Sequence, residues 1–291
     1  MAQRSFPVLV ATDGSPQARA AIEGAIAFPW PRGSTGHGLV ARATPVLTDA
    51  APDVWDALLE VSRAEARRAE RRLRLRWPDA EVFVTDAPPV PGILARARKV
   101  HARVLVLGSR GLGAVGRLLL GSVSRACVRQ ARSSVLVVRG TARAPRRFLI
   151  GIDGSRHARA AVAFVARLTV PRGGSVRLVG VVEPIRPPST GLLPARIRAM
   201  VASEATSLER EHIALAQRHL AVARERLARA GWRVKTEVHV GRPLEELVRA
   251  GSDCDVLVVG ARGVGAVERL VVGSVAEGVV SRATVPVLIV R

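Results

Sequence analysis

Two serines, each preceded by a spaced set of glycines, are the residues of this chain best suited to chemistry on phosphate. Gly108, Gly111, Gly121 and Ser122 form G-x-x-G, nine residues, then G-S, and Gly260, Gly263, Gly273 and Ser274 repeat the pattern at the same spacing. Where a strand ends, the chain must turn sharply and still show backbone N–H groups to an anion. Glycine allows positive φ and close approach of a ligand. The second G-S then opens a helix, whose unpaired N–H groups and dipole favour phosphate. The hydroxyls of Ser122 and Ser274 add a donor there. Arg117 and Arg269 stand at equivalent places inside the nine-residue stretches, and Arg110 and Arg262 between the first two glycines. Each could neutralise a polyphosphate bidentately; a solvated loop charge is the alternative.

A carboxylate completes the set. Asp13 and Asp153 end the first apolar run of each repeat, before Gly14-Ser15 and Gly154-Ser155. At a strand end they could accept hydrogen bonds from a ribose, cap the following helix through an Asx turn, or do both. Ala11 and Gly151, two positions earlier, are small enough to leave room for a flat base or sugar. Two other signatures fail. Gly111 to Gly116 matches G-x-G-x-x-G, but the second copy has Glu268 at the third glycine, and the match follows the fourth strand rather than the first. No Walker A lysine precedes a Ser or Thr. The histidines have no metal-ligand spacing, and His212 and His219, seven apart on one helix face, read as a surface pair. No nucleophile–base pair can be placed at the loops, so no catalytic residue is assigned.

The elements that must position these residues are written twice. Residues 108–139 and 260–291 are identical at about half their positions without a gap. The boundary falls in the polar, Pro-containing stretch 140–147, which gives a first domain at 1–140, a linker at 141–146 and a second domain at 147–291. Strand and helix alternate in each half. Strands are expected at 7–12, 38–44, 81–85, 104–107 and 135–138, and again at 148–152, 176–182, 233–240, 256–259 and 287–290. Helices are expected from Ser15 and Ser155 as N-caps, over 52–77 and 194–230, over 92–99 and 244–250, and from Ser122 and Ser274. That alternation makes a parallel sheet wound on both faces, an α/β fold with ligands at the carboxyl ends of its strands.

Bulk properties bound the rest. The 291 residues are 48% hydrophobic and 3% aromatic, so the core must be largely aliphatic. The formal charge of +21 suggests nucleic acid, but the charge is scattered and no recognised module accompanies it. The densest basic stretch, 67–76, has helical apolar spacing (Ala66, Ala69, Leu73) and reads as one solvated face; any acidic partner would meet it first. Cys127 and Cys254 form no C-x-x-C pair and read as reduced, buried thiols. No signal-peptide pattern and no membrane-length apolar run is present, so the expected location is the cytoplasm, without membrane partners.

The doubled G-x-x-G, nine residues, G-S with a strand-one Asp resembles the ATP-binding branch of the universal stress protein family, over essentially the whole chain. The resemblance implies two tandem flavodoxin-like, adenine-nucleotide-hydrolase-like domains, each a doubly wound five-stranded parallel sheet. It implies ATP, with Mg2+ or Mn2+ on the phosphates. Asp13 and Asp153 would contact the ribose above Gly108 and Gly260. Gly111, Gly113, Gly121, Ser122 and Val123 would cradle one set of phosphates, and Gly263, Gly265, Gly273, Ser274 and Val275 the other. Adenine would lie against the end of strand two, at Val181 and near Ala43. There the first half departs from the pattern with Pro45, and it has Pro89-Val-Pro91 where the second has Gly241-Arg-Pro243, so the second site is expected to be the closer match. The resemblance also implies fifth strands that pair, here within one chain as an internal pseudo-dimer, with a homodimer of chains as a further association. The function expected is a stress-response sensor or regulator that binds adenine nucleotide in each half. A slow metal-dependent ATPase and an adaptor for nucleic acid or acidic partners are the alternatives.

Overall fold

The computed structural model describes residues 5–41, 52–111, 120–140, 143–185, 194–263 and 272–291. The first half runs β1 (Phe6–Thr12), α1 (Pro16–Ala27), β2 (Ser34–Val40), α2 (Pro52–Leu73), β3 (Glu81–Val84), α3 (Pro89–Lys99), β4 (Val104–Gly108), α4 (Ser122–Gln130) and β5 (Ser134–Val138). The second repeats it as β6 (Arg147–Ile152), α5 (Arg156–Ala166), β7 (Ser175–Val182), α6 (Ala195–Arg229), β8 (Arg233–Val240), α7 (Pro243–Gly251), β9 (Val256–Gly260), α8 (Ser274–Arg282) and β10 (Val287–Val290). The fold is the doubly wound α/β arrangement expected, twice over.

All ten strands join one sheet in the order β3-β2-β1-β4-β5-β10-β9-β6-β7-β8. Pairing is parallel within each half and antiparallel between β5 and β10, with Leu136 opposite Leu288. The runs VLVLG and SVLVV are buried along their whole length, which suits strands covered by helices on both faces. One core cluster holds β1, β4 and β6 side chains under α1, α2, α5 and α6; the other fills the face under α3, α4, α7 and α8. In each half the strand order reverses between the first and fourth strands (β1 and β4, β6 and β9). At such a switch point the flanking connections leave on opposite faces and open a crevice at the carboxyl edge. Asp13, Gly108, Asp153 and Gly260 all stand at those crevices.

Three boundaries differ from the sequence reading. Strand β2 starts at Ser34 rather than 38 and is described to Val40, the expected stretch 42–44 lying outside the described residues. Its glycines are spaces: a Cβ on Gly36 would lie 2.3 Å from the Trp77 ring, and one on Gly38 2.5 Å from Val82. Helix α3 starts at Pro89, earlier than 92, because proline lacks only an N–H that a first helical turn leaves unpaired anyway. Helix α2 ends at Leu73, and 74–77 continue as a turn closed by the Trp77 N–H to Leu73 O bond (2.9 Å).

The strands are aliphatic, as composition requires, but the aromatics gather where the halves meet. Phe6 packs against Phe164 (5.8 Å between centroids), Phe28 against Phe148 (6.0 Å), and Trp30 and Trp232 flank them. On the other face of the sheet α4 and α8 carry a reciprocal pair of caps. Arg139 donates to Val280 O in the last turn of α8, and Arg291 donates to Val128 O in the last turn of α4. Each arginine follows the last strand of its half and caps a helix of the other, where a cation meets the negative helix end.

Candidate functional site

Each crevice is built from a strand end, a tight turn and two helix N-termini. Asp13 ends β1 in an Asx turn: its Oδ1 accepts the Ser15 N–H at 3.0 Å while Gly14 takes φ 80. Asp153 does the same with Ser155 at 2.9 Å and Gly154 at φ 78. Ser15 and Ser155 then cap α1 and α5, accepting from Ala18 and Ala158 N–H, each at 3.1 Å. The Asx-turn role is therefore present. It uses one carboxylate oxygen.

The other oxygen faces the glycine loop. A Cβ on Gly111 would lie 2.3 Å from Asp13 Oδ2, and one on Gly263 2.7 Å from Asp153 Oδ2. Only glycine lets the loop backbone pass that close, and it does so in both halves. The loop's far end returns to the same spot. Gly121 N–H donates to Ser109 O and Gly273 N–H to Ala261 O, each at 2.8 Å. Gly121 and Gly273 are the N-caps of α4 and α8, and among the described residues no side chain caps either helix. At the same edge α1 and α5 carry serine caps. Two helix N-termini per half thus end at one crevice, one closed by a side chain and one with its first-turn amides toward the loop.

The residues singled out in the sequence sort as follows. Asp13, Gly111, Gly121 and Ser122 come together at the first crevice, and Asp153, Gly263, Gly273 and Ser274 at the second. Ser122 and Ser274 are exposed, while Val123 and Val275 pack on the core behind them. Arg110 and Arg262 are half-buried beside the loop bases; Arg110 bears on Arg139 and Arg262 on Arg291, like charges that, after burial itself, hold the buried guanidiniums below their usual pKa. Gly108 and Gly260 have a packing reason of their own. A Cβ would meet Gln17 O at 2.7 Å or His157 C at 2.6 Å, so these glycines seat α1 and α5 on the sheet. The room expected beside Ala11 and Gly151 is filled: Ala11 lies in the core, and the face of Gly151 is occupied by Leu247, 3.1 Å from where a Cβ would stand. Val181 lies near the end of β7, opposite His239 of β8. Ala43, Gly113, Arg117, Gly265 and Arg269 fall outside the described residues.

Two residues at the crevices were not found from sequence. Glu65 of α2 is 6% exposed and lies over Gly14; its Oε2 accepts from Arg68, and among the described residues its Oε1 has no hydrogen-bond partner. His219 of α6 occupies the same place over Gly154, 2.3 Å from where a Cβ would stand, so it is no simple surface residue. Because the two positions carry different residue types on helices of different length, comparing the halves could not reveal them. The basic stretch of α2 does form a solvated face. Arg67, Arg68, Arg71, Arg72, Arg74 and Arg76 are exposed over buried Ala66, Ala69 and Leu73, with Arg72 paired to Glu23 and Arg74 to Glu70. Both cysteines are buried, and burial pushes each thiol up to about 12, which makes them inert packing groups. Among the described residues, no helix is long and apolar enough to cross a membrane.

Comparison with known proteins covers the chain twice. The model of the universal stress protein family matches residues 6–139 and again 145–291. A universal stress protein of Mycobacterium tuberculosis is 34% identical over 246 residues, spanning 78% of this chain and 72% of its own length. One from Thermus aquaticus is 36% identical over 138 residues, 45% of this chain and 97% of that protein, so its whole length corresponds to about one half here. Among solved structures, a universal stress protein from Archaeoglobus fulgidus shares the fold with a TM-score of 0.64 at 18% identity, over 98% of this chain and 96% of that one.

Proposed function

The chain belongs to the universal stress protein family, and from that premise we propose that it binds ATP in each half and acts in the cytoplasm as a nucleotide-dependent sensor or regulator. The observation that carries the reading is the close approach of the first loop glycine to Asp Oδ2, made in both crevices beside a helix N-terminus that, among the described residues, lacks a side-chain cap. The residues present fit a nucleoside polyphosphate. Asp13 and Asp153 would accept from ribose hydroxyls. The amides opening α4 and α8, with Ser122 and Ser274, would hold phosphate oxygens. Arg110 and Arg262 add charge at the loop bases, and Arg117 and Arg269 belong to the same proposal. Val181 would flank adenine in the second half and Ala43 in the first.

Mg2+ or Mn2+ would enter on the phosphates and neutralise their charge. Among the described residues no group of three His, Cys, Asp or Glu could hold a metal ion, and the donors present suit a metal carried by the nucleotide. The antiparallel β5–β10 seam and the reciprocal arginine caps support reading the two halves as an internal pseudo-dimer. One observation favours slow hydrolysis as a second reading, in the first half alone: the unpartnered Glu65 Oε1 beside the Asp13 turn could orient a water.

Titrating ATP into the wild type and into Gly111→Val and Gly263→Val tests the proposal. The added side chain would overlap Asp13 Oδ2 or Asp153 Oδ2. Two sites are expected in the wild type, each single variant losing one while melting as a folded protein. A wild type without ATP binding overturns the reading.

A further inference from the structure

An open cleft of about 1050 Å3 lies at the amino edge of the first half's strands, where the second half's α5 and the end of β10 fold over it. Its floor is the start of β1, the turns before β4 and β5, and the apolar surfaces of Phe6, Leu94 and Phe164. The opposite end of β1 carries Asp13, so the first glycine crevice lies a full strand length away; on the other side the cleft wall adjoins the base of the second loop, where Val290 O accepts the Ala261 N–H at 2.8 Å and Arg291 bears on Arg262.

The charge of this cleft is one-sided. Arg98, His101, Arg103, Arg132, Arg167 and Arg291 line it, and no Asp or Glu does. Among the described residues Arg98, Arg103 and Arg132 make no ion pair, whereas the solvated arginines of α2 pair with neighbouring glutamates. Arg167 lies over the Phe6 ring, 5.8 Å from its centroid, and Arg291 is held by backbone carbonyls of the α4 end and the turn after it. Cations gathered around a concave surface repel one another until an anion enters.

The second half shows that the fold does not require this. Before β4 the sequence is His101-Ala-Arg103-Val; at the same place before β9 it is Asp253-Cys-Asp255-Val. Those aspartates are already used. Asp255 accepts the N–H groups of Arg146 and Arg147, each at 2.8 Å, and the Arg147 guanidinium at 2.9 Å; Asp253 pairs with Arg177. The first half replaces both acids with bases. His101 also closes the end of α3 at φ 50, the one described non-glycine residue in the left-handed region. The turn is completed by Ala102 N–H donating to Ala97 O at 2.9 Å, where glycine is the unstrained choice. An imidazole is kept in the cleft against the local backbone preference.

We propose that this cleft is a second kind of anion site, one that binds a small molecule carrying a run of phosphates, separately from the two glycine crevices. Planar guanidiniums from several elements suit phosphate oxygens, and the volume is that of a small-molecule pocket. The concavity favours a compact ligand over a duplex, which would need a basic face laid along its grooves.

The test uses the full chain and inorganic tripolyphosphate as the probe, measured by calorimetry at several salt concentrations. The double variant Gly111→Val/Gly263→Val is expected to retain one tripolyphosphate site per chain, with affinity falling as salt rises. His101→Asp/Arg103→Asp, which installs the residues of the second half, is expected to weaken that site by at least about tenfold. His101→Gly separates ligand from scaffold: it is expected to raise the melting temperature while weakening tripolyphosphate. Loss of all tripolyphosphate binding in the glycine double variant, or unchanged affinity in both His101 variants, overturns the proposal. So does displacement of tripolyphosphate by a random single-stranded oligonucleotide at a lower phosphate concentration, which would make a long polyanion the occupant. ATP titration of the same wild-type protein reports on the glycine crevices independently, so either reading can fail alone.

Discussion

Asp13 and Asp153 each divide one carboxylate between two partners. Oδ1 fixes the turn into the following helix, and Oδ2 faces the loop glycine. From sequence the ribose and turn roles could coexist, because a carboxylate has acceptor sites for both. The spacing alone identified these residues, because both copies retain them. Glu65 and His219 escaped because each crevice draws that neighbour from a long helix whose register the repeat does not preserve. A further difference concerns pH. His157, at the place Gln17 holds in the first half, is lowered from its ordinary value of 6.5 by burial first and then by Arg156, Arg262 and Arg291, with Asp153 opposing. Its neutral form is therefore the one the folded chain favours. The stability this contributes is present above the ordinary value and is lost as pH falls from there through the lowered folded one. Phosphate beside it would favour the cation. Second-site ATP affinity is thus expected to rise as pH falls below about 6.5, and His157→Gln to flatten that rise in calorimetry, leaving the first site unchanged.

Among elements, the helices divide by how they begin. Helices α1 and α5 have serine caps that accept the first-turn amides of Ala18 and Ala158, so Ser15→Ala and Ser155→Ala are expected to lower unfolding free energy by about 1 kcal/mol each in urea titrations. Helices α4 and α8 begin at glycine with no such cap among the described residues, and their stability is expected to respond to nucleotide instead. The alternation of elements was legible because aliphatic runs and N-cap serines are local signals. Strand β2 was misread at its start for a physical reason. Gly36, ahead of the expected start, makes room for Trp77, which arrives from elsewhere in the chain. Likewise the expected start at 92 left Pro89 and Pro91 out of α3, although a first helical turn accepts them.

At the scale of the molecule, the two halves are joined by backbone, by aromatic packing and by charge. The β5–β10 pairing was expected from the family resemblance, and it covers two apolar terminal strands that would otherwise be open edges. The arginine caps were missed, although the signal was present: both repeats end on an arginine directly after the last strand, at Arg139 and Arg291. Arg139 is 9% exposed and donates into the end of α8, whose other end opens at the second glycine motif. Arg139→Gln is expected to destabilise the chain by about 2 kcal/mol, read from its urea midpoint, through loss of a partly buried cation at a helix C-terminus. The central claim concerns both crevices together. Purifying the wild-type chain without added nucleotide, denaturing it, and counting the small molecules released by mass spectrometry tests that claim most directly. Two adenine nucleotides per chain is the expected count after titration to saturation, with at least one carried through purification. No nucleotide released, and none taken up on titration, would contradict it.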